Sequence, residues 1–235
     1  MPNRRNAAMP SKGGNMTGDP SHHPEPALLM EYASGASPEP FSLVIATHLA
    51  LCPECRRSVA ELEAAGGAAL GKLHDTTVGD DVLAKTLAKL DAPPPAVTHK
   101  APPSRSSRSV ELGVPRPLSD VLSKPLEELH FKKLGGVEVC LLDAPQPYRV
   151  YVMRIAGGVD VPPHGHSGQE LTLMLRGSFV DGNERFAEGD MACVDEACTH
   201  RPKADREGCI CLVAAHGKMK MPGFVSGMVA RWFGI

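Results

Sequence analysis

The sequence predicts a two-domain chain, all-α at its N-terminal end and all-β at its C-terminal end. Three observations predict it. Apolar residues recur at helical spacing from His22 to about Asp91. Residues 91–109, DAPPPAVTHKAPPSRSSRS, then hold five prolines and four serines with no periodic apolar pattern. After Val110 the chain breaks into short β-rich runs parted by Gly, Pro and Asp.

Residues 1–20 are rich in Pro, Gly, Asn and Ser and predict a disordered leader. About four helices follow in residues 21–91. The first is PALLMEYASG, with Leu28, Leu29 and Tyr32 apolar and Gly35 as its stop. Ser37-Pro38-Glu39-Pro40 opens the second, through FSLVIATHLAL. The third starts at Pro53 and is expected to end at Gly66-Gly67. The fourth, GDDVLAKTLAKLDA, carries Val82, Leu83, Leu87 and Leu90 on one stripe. Residues 92–109 then form a semi-extended linker. In residues 110–235 the runs VEVCLLD, YRVYVMRIA, ELTLMLRGSFV, DMACVD and CICLVAA predict the strands of a sandwich or barrel.

Composition excludes several function classes. Net charge is -2 and aromatic residues are 4%, with Trp232 the single tryptophan. Neither a basic patch nor a stacking platform for nucleic acid is expected. No run of 18 apolar residues spans a membrane, and the first residues lack the apolar segment of a secretory signal. A cytoplasmic protein is the expectation. Among seven cysteines, two form a metal-like C-x-x-C, and in a reducing compartment such residues are ligands or core more often than disulfides. Gly66–Lys72 imitates a phosphate loop, but Leu73 stands where Ser or Thr is needed and no strand precedes it.

Two clusters carry chemistry. His48, Cys52 and Cys55 stand at i, i+4 and i+7 and lie on one helical face. Imidazole nitrogen and thiolate sulfur suit four-coordinate zinc, and either His22 or His23 supplies the fourth donor. The competing view makes these residues core, and a redox C-x-x-C needs a βαβ context that is absent. Energetics favour metal. A domain of about 70 residues gains roughly 3–5 kcal/mol from its core, whereas structural zinc contributes about 10–16 kcal/mol of apparent binding free energy. The N-terminal unit is therefore expected to be zinc-stapled. Residues 21–90 carry five Lys/Arg against nine Asp/Glu, which suits a basic partner and not DNA.

His164, His166 and Glu170 share parity, so in an extended segment they face one side. His200, on a later strand, is placed to add a third imidazole. The set tolerates Zn, Mn, Fe or Ni. His74, His99, His130 and His216 have no such company, and Cys209 and Cys211 alternate onto one face as core residues.

The segment from His48 to Cys55 resembles the H-x3-C-x2-C signature of zinc-binding anti-sigma factors, in which a histidine ahead of the first helix is the fourth ligand. That resemblance points to His23. Gly158 to Gly177 fits G-x5-H-x-H-x3-E-x6-G and resembles the first cupin motif, which implies His164, His166, Glu170 and His200 as ligands of zinc or another divalent metal. The second cupin motif is partial: Gly189-Asp190 and His200 remain, but Asp195-Glu196-Ala197 replaces its Pro-x-Gly.

Together the halves resemble the ChrR-type anti-sigma factors. The implied protein is no enzyme. It holds a group IV (extracytoplasmic-function type) sigma factor away from RNA polymerase and releases it under oxidative stress, such as singlet oxygen or organic hydroperoxide. The rival expectations are a dioxygenase-like cupin metalloenzyme with an accessory zinc domain, and a metal-storing or structural scaffold.

Overall fold

The computed structural model describes residues 19–91, 111–221 and 232–234. Residues 1–18 of the expected leader, and the expected linker, lie outside them. Helix α1 (Pro26–Ala33) begins on a proline and ends two residues before Gly35, whose φ of 73° suits glycine. Helix α2 (Glu39–Leu51) opens with Glu39 in its first turn. It stops because the residue before a proline avoids helical backbone, and Cys52 sits at φ -106°, ψ 109°. Helix α3 (Pro53–Leu70) then starts at Pro53 and passes straight through Gly66-Gly67, beyond the expected stop. Two glycines cost about 1 kcal/mol each, and the flanking alanines keep the helix going. Helix α4 (Asp80–Asp91) leaves its apolar stripe exposed.

A short helix, α5 (Arg116–Val121), and a 3-10 turn at Leu126–Glu128 precede the strands. The sequence reading placed only β texture here. Leu118, Leu122 and Leu126 recur every fourth residue, and all three are buried.

The strands are β1 (Lys132–Leu134), β2 (Val137–Leu142), β3 (Tyr148–Ile155), β4 (His164–His166), β5 (Glu170–Asp181), β6 (Glu184–Ala187), β7 (Met191–Val194), β8 (Thr199–His200), β9 (Lys203–His216) and β10 (Met219–Lys220). They form a sheet ordered β1-β2-β3-β9-β5-β6, with β7 also on β5, and a small sheet ordered β10-β4-β8. Pairing is antiparallel throughout. At Gly177 the β5–β9 register shifts; φ is 72°, and a Cβ there would run into the Gly208 carbonyl.

The central strands are buried on both faces, which is why they spell continuous apolar runs. Met174, Tyr151, Cys209, Cys211 and Val213 point into the barrel with Phe179 and Ile155. Their neighbours Leu171, Leu173, Val150, Val152, Ile210 and Leu212 point outward, into one core with Phe41, Val44, Ile45 and Leu49 of α2 and with Leu118 and Leu122. Helix α2, with Leu118 and Leu122, is thus the outer cover of the sheet whose inner face lines the barrel.

Candidate metal centres

The first centre forms where α2 breaks into α3. His48 sits in the last turn of α2, Cys52 at the break, and Cys55 one turn into α3. The Cys52 Sγ accepts from the Cys55 N–H at 3.4 Å, so this candidate ligand also caps the helix. His23 arrives from the segment before α1. Its Nδ1 lies 3.4 Å from both Cys52 Sγ and Cys55 Sγ, and His48 Nε2 lies 3.3 Å from Cys55 Sγ. All four donor atoms lie within 4.8 Å of one another. A tetrahedral ion with Zn–N and Zn–S bonds of ordinary length needs donors roughly 3.3–3.8 Å apart, so the set fits zinc. His22 turns away: its ring faces the Asp190 carboxylate at 3.2 Å and packs on Phe186.

The electrostatics fit as well. Burial pulls His48 down to about 4, against the opposing pull of the Gly189 carbonyl. Burial and then the neighbouring Cys52 push the Cys55 thiol up to about 12. Neutral imidazole is the ligating form, and two crowded sulfurs become comfortable as thiolates only around a cation. The Gly189 carbonyl, 2.8 Å from His48 Nδ1, leaves Nε2 for the centre.

The second centre lies on the small sheet at the barrel mouth. Strands β4 and β8 pair His164 directly with His200, and His166 follows on the same face. His166 Nε2 is 3.1 Å from His200 Nε2, and the donor atoms of the three histidines lie within 4.8 Å of one another. Glu170 stands beside them: its carboxylate is 3.5 Å from the other ring nitrogen of His166, and Tyr151 and Thr172 hydroxyls donate to it. Burial raises Glu170 above the usual carboxylate range, partly opposed by His164 and His200. Burial also lowers His164 and His166 to about 4. A mostly apolar hollow opens beside the cluster, lined by Met153, Phe179, Val194 and Met219 among others. Three imidazoles aimed at one point fit a divalent metal.

A model of the ChrR cupin-like domain matches residues 121–220. The anti-sigma-E factor ChrR of Cereibacter sphaeroides is 37% identical over 216 residues, 91% of this chain and 98% of that protein. The chain belongs to the ChrR family of anti-sigma factors. The crystal structure of Rhodobacter sphaeroides SigE in complex with the anti-sigma ChrR is similar too, at 37% identity and a TM-score of 0.68, over 83% of this chain and 98% of that one. A ChrR-family protein is a regulator, so the enzyme reading of the cupin falls away. No described helix is long and apolar enough to cross a membrane.

Several residues around the second centre escaped the sequence reading. Asp181 holds His200 Nδ1 at 2.8 Å and accepts from the Arg201 N–H. The Pro162 carbonyl meets His164 Nδ1 at 2.9 Å. Tyr151 lies in an apolar run with no outward sign of its contact to Glu170. The one available signal was parity, since Tyr151 pairs with Val213 on the inward face.

Proposed function

We propose that this chain sequesters a group IV (extracytoplasmic-function type) sigma factor in the cytoplasm through its N-terminal helices, and releases it under oxidative stress from singlet oxygen or organic hydroperoxide. Zinc held by His23, His48, Cys52 and Cys55 fixes the angle between α2 and α3, and so the shape offered to the partner. A divalent metal held by His164, His166 and His200, with Glu170 as the carboxylate donor, makes the cupin the stress-responsive part. The expected units, 21–91 and 110–235, are the grip and the sensor.

The observation that carries the reading is α4. Val82, Leu83, Leu87 and Leu90 are 44–76% exposed, so the helix shows its apolar stripe to solvent. An apolar stripe of this kind on an acidic domain suits burial in a partner with a basic surface. The relative solved in complex with SigE supports a sigma factor as that partner.

Capture of sigma factors by the full chain, with metal analysis of the same sample, tests it. Wild type is expected to hold one sigma factor and zinc. Cys52→Ser is expected to lose both. His164→Ala is expected to keep the sigma factor but fail to release it when singlet oxygen is generated. Wild-type capture by Cys52→Ser would remove zinc from the mechanism.

A further inference from the structure

The barrel backs two of the four N-terminal donors: it meets the His48 ring directly and hydrogen-bonds the residues just before His23. The turn between β6 and β7, residues 187–191, reaches the segment that delivers His23. Asp190 is 2% exposed. Its Oδ1 accepts from the Ser21 N–H at 2.6 Å and the His22 N–H at 3.0 Å, and its Oδ2 from the Ala187 N–H at 2.8 Å. The Ser21 hydroxyl lies 3.3 Å from both oxygens, and the His22 ring 3.2 Å from Oδ2. One residue on, the Met191 N–H donates to the His22 carbonyl at 3.0 Å. One residue back, the Gly189 carbonyl meets His48 Nδ1 at 2.8 Å.

That turn is anchored on two sides. Gly189 has φ 90°, and its far side is closed by Pro20. Its N–H donates to the Met174 carbonyl, and the Met174 N–H donates to the Asp190 carbonyl, so β5 grips it from behind. Strand β7 leaves the turn along β5 until Val194 pairs with Glu170. One four-residue strand therefore runs from the N-terminal centre to the cupin centre.

We propose that the β6–β7 turn is a latch by which the cupin barrel sets how firmly the N-terminal site keeps its metal, with Asp190 as its positioning residue. Asp190 touches no donor atom. It fixes Ser21 and His22, and through them the reach of His23. The proposal rests on the reading that His23, His48, Cys52 and Cys55 hold a metal.

The test uses the full chain loaded with Co²⁺. The thiolate-to-cobalt charge-transfer band reports only the site that contains cysteines, so loss of that band to a chelator reads the N-terminal centre alone. Asp190→Ala is expected to lose the band roughly 10- to 100-fold faster than wild type, the range usual for residues that orient metal ligands. Asp190→Asn keeps one acceptor oxygen and is expected to fall between them, with its visible bands closer to wild type. Leu118→Ala weakens the same core without touching the latch and is expected to change the rate far less than Asp190→Ala does. Wild-type kinetics in Asp190→Ala, or equal acceleration by Leu118→Ala, would overturn the latch. A wild-type chain that forms no charge-transfer band would overturn the metal reading and the latch with it.

Discussion

Asp190 carries a charge where water barely reaches. Burial pushes its pKa up, but the Ala187, His22 and Ser21 N–H groups outweigh that and hold the carboxyl below its ordinary value. A carboxyl depressed in the folded state stabilises the fold above its unfolded pKa, near 3.9, and the contribution fades as pH falls through the folded value. Asp190→Asn is therefore expected to cost about 1–3 kcal/mol at neutral pH. The gap between wild type and variant should close in acid, below about pH 4. Urea unfolding of both chains across pH 3–7 measures it, and a gap constant with pH would show that the charge contributes nothing. Cys52 and Cys55 were legible because their spacing is local and their chemistry is rare. Asp190 was visible only as a remnant of a motif, since its partners Ser21 and His22 lie 169 and 168 positions away.

At the scale of elements, the strands followed from sequence because VEVCLLD, YRVYVMRIA and CICLVAA are bounded by turn residues. Helix α5 did not, because six residues starting Arg116-Pro117 are too few to show a period. Its weight comes from tertiary burial: Leu118→Ala is expected to cost about 2–5 kcal/mol, read as a lower urea midpoint. Helix α4 is the opposite case, a clear period whose apolar side chains stay exposed. An exposed substitution away from contacts changes stability by about 0.5 kcal/mol or less. The double variant Leu83→Glu, Leu87→Glu is thus expected to melt like wild type. If α4 enters the sigma factor, burying two carboxylates there should weaken the complex at least tenfold, about 1.4 kcal/mol. Titration calorimetry against the captured sigma factor decides it, and unchanged affinity would clear α4 of a role in binding.

At the scale of the whole molecule, two units and a proline-rich tether suggest independence, and packing argues against it. Phe41, Val44, Ile45 and Leu49 of α2 share a core with Val150, Val152, Leu171, Leu173, Ile210 and Leu212 of the barrel. Side chains of this size contribute about 1.5–3 kcal/mol each when buried. Four of them, even discounted for a compact unfolded state, rival the 5–15 kcal/mol of an ordinary domain. Sequence could not show this, because a strand covered on both faces looks the same whether a second sheet or a foreign helix covers it. The full chain is accordingly expected to unfold in one step, with the amides of α2 and β9 exchanging at the same global free energy and α4 exchanging far sooner. Residues 111–235 alone would leave part of that outer face open and are expected to bind a hydrophobic dye or self-associate. Hydrogen exchange on the full chain and light scattering on the fragment test both halves of the claim. If α2 opened well below β9, and the fragment stayed monomeric and dark to dye, the shared core would not be holding the two halves together.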